Sequence, residues 1–226
     1  MSYSELTIAS KAKSERIEWR TFPIHVKMLG VIARISSRVF LGDQLCRDEN
    51  WLRITKDYTL KSFIAASELC LWPEILRPIV THFLKSAAEV RELVKEAREV
   101  IEPIRDQRRQ LRKEALAEGK EYERHNDAID WVEDEAKGAP HNPVTVQLGL
   151  SLAAIHTTSD LSSKVLINLV RNPSIIEPLR KEMTDVLNEH GWSKNALFKM
   201  KLLDSVIKES QRLAPAALGM YCGNLR

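Results

Sequence analysis

The residues best able to do chemistry lie in one short run, Ala153-Ala154-Ile155-His156-Thr157-Thr158-Ser159-Asp160. Every side chain from His156 to Asp160 is polar or ionisable. They follow the apolar stretch Leu148 to Ile155 with no loop signal between. Polar groups beside a buried stretch must be satisfied by protein partners, water or a ligand. Imidazole titrates at about 6.5 when unperturbed, so both of its protonation states are accessible. A threonine hydroxyl both donates and accepts hydrogen bonds, and it can bend a helix by bonding back to the carbonyl four residues earlier. The helix could simply emerge into solvent after Ile155. Against that, Val165, Leu166, Leu169 and Val170 return it to an apolar face. The polar cluster is therefore expected to lie mid-helix, as a cavity wall.

The second candidate is Glu209-Ser210-Gln211-Arg212, where glutamate and arginine share a helix face. The same spacing occurs at Glu74/Arg77, Glu102/Arg105, Glu121/Arg124 and Glu177/Arg180, so the pair alone says little. Its context, Leu202 to Leu213 followed by Pro215, is what sets it apart. The charge-rich stretch Thr81 to His125 carries 11 basic and 10 acidic residues, interspersed. A phosphate-binding stripe would be one-signed, so this is read as a solvated helix face.

Composition narrows the classes. The chain has 226 residues, 34 Lys plus Arg and 31 Asp plus Glu, a surplus of only +3 that argues against charge-driven nucleic-acid binding. Gly (8) and Pro (9) are scarce, which favours helices over a turn-rich sandwich. Cys46, Cys70 and Cys222 are too few and too far apart for a disulfide framework or a zinc site, and fit a reducing compartment. No apolar run is long enough to span a bilayer, and Met1 to Lys13 lack a signal-peptide core. The chain reads as soluble.

The elements that must position these residues are helices. Ile24, Met28, Val31, Ile32, Ile35 and Val39 recur at three and four from Pro23 to Phe40, with Gly42 as a stop. Asp48 caps a helix carrying Trp51, Leu52, Ile54, Tyr58 and Phe63. One long helix is predicted from about Thr81 to Ala117, kinked at Pro103. A polar linker, 119–126, leads to a short acidic helix opened by Asn126 or Asp127 and ending near Gly138. Asn142-Pro143 starts the central helix, which runs to about Asn172 and is expected to be buried all round in its middle. Ser174 is expected to cap a helix ending at Gly191, and a last helix spans Lys201 to Leu213. No clear strand precedes the final ten residues. The fold class is mainly α, with little or no sheet.

The two candidate motifs, joined by Asn172-Pro173-x-x-Ile176-x-x-Leu179-x-x-Glu182, resemble the heme-thiolate monooxygenases, the cytochrome P-450 family, in its fungal form. That family's central helix carries Ala/Gly-Gly-x-Asp/Glu-Thr-Thr, matched here by Ala153-Ala154-Ile155-His156-Thr157-Thr158. A later Glu-x-x-Arg-Leu-x-Pro matches Glu209, Arg212, Leu213 and Pro215, and the 52 residues from Thr157 to Glu209 agree in separation. The resemblance implies a partial single domain over 1–226, the central portion of the fold. It implies heme b beside Ala153, Ala154 and Thr158. Thr157 would hold the water and dioxygen that receive protons, and His156, in the place of the usual acid, would relay them. Ala154 replaces the usual glycine and narrows the groove. Glu209 and Arg212 would be structural, part of a buried trio with a downstream arginine. The implied activity is oxidation of an apolar organic substrate, in fungal secondary metabolism. The implied electron donor is NADPH-cytochrome reductase at the cytosolic face of the endoplasmic reticulum.

The family's axial ligand is a cysteine thiolate in Phe-x-x-Gly-x-x-x-Cys-x-Gly. Cys222, with Gly219 and Ala216 before it, does not fit that spacing. This chain is therefore expected to lack the axial ligand and the N-terminal anchor, and to be inactive alone. Two other readings remain. One is a non-catalytic helical remnant or interaction module. The other is a class I terpene cyclase holding Mg²⁺-diphosphate on Asp127, Asp130 and Asp134, although no two of these are adjacent.

Overall fold

The computed structural model describes residues 6–11 and 17–215. Ala216, Gly219 and Cys222 lie outside the described residues. The architecture is mainly α, as expected, with one addition. Strands β1 (Leu6–Lys11) and β2 (Ile17–Phe22) pair antiparallel, Leu6 opposite Phe22 and Lys11 opposite Ile17. The expectation of no strand before the last ten residues is thus corrected. Five residues with period two (Ile17, Trp19 and Thr21 against Glu18 and Arg20) are too few to stand out beside long helical patterns.

The helices fall into two compact units, Gly30–His156 and a second formed by Met1–Leu29 with Thr157–Arg226. In the first, α1 (Ile24–Leu45, beginning in the other unit) is interrupted at Gly42, whose φ of 76° lies in the left-handed region. Helix α2 (Glu49–Cys70) is capped by Asp48, which accepts the Trp51 amide at 2.6 Å. The predicted single helix from Thr81 is corrected. A 3₁₀ turn (Glu74–Leu76) leads into α3 (Arg77–Phe83), which Pro78 opens. Leu84 is extended (φ −72°, ψ 126°), and α4 starts only at Lys85 and runs to Ala117 through Pro103. Helix α5 (Ala128–Ala136) starts on Asp127 and ends at Lys137, in the left-handed conformation.

Helix α2 packs on α4. The core of this unit gathers Leu41, Trp51, Ile54, Leu93, Ile101 and Leu148, each 3% exposed or less. Full burial of each such side chain is worth roughly 1.5–3 kcal/mol. The one polar atom of the Trp51 ring is satisfied, because Nε1 donates to Ser37 Oγ at 3.2 Å.

Helix α6 (Pro143–Arg171) opens as predicted, with Asn142 Oδ1 accepting the Val144 and Thr145 amides. Its middle is not buried all round. Val144, Leu148, Ser151 and Ile155 form one buried stripe, while Gly149 and Ala153 on the other face are exposed. The apolar run looked continuous because glycine and alanine are small, not because every face is covered. In the second unit, Ile24 and Ile167 pack with Met28. There α7 spans Ile176–His190, α8 Lys194–Lys199 and α9 Lys201–Leu213. Ser174 does not cap α7. It sits inside a 3₁₀ turn, Pro173–Ile175, that Pro173 forces ahead of the helix. Ser193 caps α8, an element the sequence reading missed.

Candidate functional site

Helix α6 carries the first group of candidates on one unbroken element. Ala153 is exposed and Ala154 half-buried. His156 is half-buried, and its Nε2 lies 3.2 Å from the carbonyl oxygen of Lys56 on α2. A carbonyl only accepts, so Nε2 carries the hydrogen.

Thr157 and Thr158 are exposed, and with Asp160, Lys164 and Gln211 they line an open cleft of about 370 Å³. Gln211 of α9 thus joins these two threonines and Asp160 around the cleft, while His156 and Ser159 do not line it. Asp160 is paired with Lys164 one turn on, at 2.5 Å. Ser159 is buried, facing away from the exposed threonines. The Ser163 hydroxyl bonds back along the helix, donating to the Ser159 carbonyl at 2.7 Å. Among the described residues no group of three or more His, Cys, Asp or Glu is placed to hold a metal.

On α9, Arg212 grips Glu209 with two parallel bonds, Nε to Oε2 and Nη2 to Oε1, both 2.7 Å. Of the five Glu-x-x-Arg spacings it alone is bidentate. Arg77 stands 3.8 Å from Glu74, Arg180 makes one contact to Glu177, Arg105 turns to Asp106, and Arg124 turns to Asp134. The Arg212 hydrogen bonds hold the Glu209 carboxyl below its ordinary range, and the pair raises Arg212 in turn. Both side chains are exposed.

The three aspartates lie in a network the sequence reading did not foresee. Asp127 is 1% exposed and takes a fork from Arg108 of α4, with both bonds 2.7 Å. Its Oδ1 also accepts the Ile129 and Asp130 amides that start α5. Asp130, also buried, accepts the His125 amide at 2.8 Å and lies 3.5 Å from Arg108 Nη1. Asp134 pairs with Arg112 and Arg124. Burial disfavours the Arg108 charge, yet the Asp127 bonds and both carboxylate charges outweigh it and its pKa ends raised. Burial and then the Asp130 charge push Tyr122 up. The Asp127 and Asp130 carboxylates are taken up by these donors and Asp134 by two arginines, which removes the diphosphate–magnesium reading. The signal was in the chain, since Asn126-Asp127 precedes a helix, but its partner Arg108 is hidden in a charge-balanced stretch.

The model of the cytochrome P-450 family matches residues 12–220. The chain is 44% identical over 215 residues to the cytochrome P-450 monooxygenase adrA of Penicillium rubens, covering 95% of this chain and 42% of that protein. It is 50% identical to cytochrome P-450 monooxygenase 2 of Gibberella fujikuroi, covering 85% and 41%. It is 48% identical to the cytochrome P-450 monooxygenase hepE of Aspergillus oryzae, covering 91% and 38%. The chain therefore spans about two fifths of the length of these curated relatives. The resemblance first carried by Thr157 and Glu209/Arg212 extends over nearly all of it. The chain belongs to the cytochrome P-450 family.

Proposed function

We propose that this chain is the central part of a heme-dependent monooxygenase that oxidises an apolar organic substrate with dioxygen. The observation that carries the reading is the family match across residues 12–220, with Thr157 and Thr158 exposed along one cleft of α6. The α6 surface suits a flat macrocycle. Nothing lies within 4 Å of where a side chain on Gly149 would begin, and Ala153 offers only a methyl group. Heme b, when bound, would supply dioxygen activation and transfer of one oxygen atom to the substrate.

Ala153, Ala154 and Thr158 would border the macrocycle. The Thr157 hydroxyl would hold a water and pass its proton, since it accepts from one neighbour while donating to another. His156, in the place of the usual acid, would relay protons to it. Glu209 and Arg212 act structurally, as the clamp of α9. NADPH-cytochrome reductase would deliver the electrons at the endoplasmic reticulum surface. Among the described residues no helix is long and apolar enough to cross a membrane. Secondary metabolism is the setting we favour, given the fungal relatives named as monooxygenases.

The test is Thr157→Ala and Thr157→Ser in the heme-loaded, full-length enzyme. Loss of the hydroxyl should divert most reducing equivalents to hydrogen peroxide, and Thr157→Ser should restore product. Unchanged coupling in Thr157→Ala would contradict the role.

A further inference from the structure

We infer that Glu182 of α7 is the positioning residue for the helix that carries Glu209 and Arg212, capping α9 from outside it. The first N–H groups of any helix lack intrahelical partners. Met200, at the N-cap of α9, makes no side-chain cap bond. Asp204 N–H closes the first internal bond, on the Met200 carbonyl at 3.1 Å. The two amides ahead of it are taken by Glu182, with Leu202 N–H donating to Oε1 at 2.7 Å and Leu203 N–H to Oε2 at 3.0 Å. Each carboxylate oxygen serves one amide. A negative charge there also suits the positive end of the helix dipole, and bonds to an ionised acceptor are stronger than neutral ones.

The cap matters because α9 has only 13 residues. Isolated helices of that length are marginal in water. The Glu209–Arg212 fork spans three residues and exists only while α9 is wound. Glu182 therefore acts on the pair through the helix. Its own position is fixed by Leu179, one turn earlier on α7 and 5% exposed. This gives a physical reason for the spacing Leu179-x-x-Glu182: one residue anchors α7 and the next, on the same face, reaches α9. By contrast Glu177, near the start of α7, pairs with Arg180 in solvent. The inference relies on the proposed function only for the importance of the Glu209–Arg212 pair, and not for the contact.

The experiment is amide hydrogen exchange and carboxyl titration by NMR on the 226-residue chain. Glu182→Ala should speed exchange at Leu202 and Leu203 by about tenfold or more. It should also bring the Glu209 carboxyl back up toward the ordinary glutamate range. Glu182→Gln, which keeps one carbonyl acceptor, should fall between, and Glu177→Ala should match the parent. Should Glu182→Ala not fold, the parent protein still decides. On acidification the Leu202 and Leu203 amide resonances must move together with the Glu182 carboxyl signal. Unchanged exchange in Glu182→Ala, a Glu209 titration indifferent to it, or parent amides that ignore Glu182 would each overturn the inference. None of these readouts involves heme, so failure of the proposed function would leave them intact.

Discussion

Replacing Asp127 by alanine tests the least expected part of the structure, the buried charge network between α4 and α5. Asp127 is 1% exposed and its Arg108 partner 8%, so the pair is shielded from water. Removing one partner of such a pair costs roughly 3–5 kcal/mol, because the remaining charge stays buried. The substitution also deletes the cap of α5, worth about 0.5–2 kcal/mol elsewhere. The two losses share Oδ1 and do not simply add. Asp130 stays 3.5 Å from Arg108 and compensates part of its charge. The expected cost is therefore at the low end, about 3 kcal/mol, against the 5–15 kcal/mol typical of whole domains. In urea titrations followed by circular dichroism at neutral pH, the midpoint should fall by about 1–1.5 M. Asp127→Asn keeps an oxygen for the two amides and loses the charge, so it should cost less than alanine. A loss below about 1 kcal/mol for Asp127→Ala would match a solvent-screened surface pair and refute the buried network.

Three further outcomes follow from the geometry. Gly42→Ala should destabilise by more than about 1 kcal/mol, because its φ is 76° and a Cβ there would stand 2.9 Å from Asp127 Oδ2; an unaffected urea midpoint would contradict the contact. The Glu209 carboxyl has a lowered folded pKa, so the stabilisation from its pair should be fully present above the unfolded value and lost as pH falls through the folded one. Comparing parent and Glu209→Gln melting across that window checks the sign, and a difference that grew on acidification would contradict it. His156→Ala should loosen the link from α6 to the Lys56 carbonyl, seen as faster exchange at amides near Lys56; unchanged exchange would mean that the ring bond is not populated in solution.

The helices were legible where a local signal fixed them. Asn142-Pro143 and Asp48 opened α6 and α2 as read, and Lys201 to Leu213 bounded α9. Local signals misled where chain geometry took precedence. Ser174 looked like a cap but fell within a turn set by Pro173, and the periodicity from Thr81 concealed the extended Leu84. The site was legible as a cluster, His156 to Asp160, but not in its orientation. Only the packing of α6 separates exposed Thr157 and Thr158 from buried Ser159. Arg108 was invisible because one arginine among 11 basic residues carries no mark of burial. Its partner lies 19 residues away, beyond any helical period.

The proposed heme-thiolate monooxygenase function is open to direct test. The most direct measurement is the absorbance of the full-length protein containing it, reduced under carbon monoxide. The expected result is the strongly red-shifted Soret band of a thiolate-ligated ferrous–carbonyl heme. A heme-loaded protein with the band of a histidine-ligated heme, or one that takes up no heme when expressed whole, would contradict it.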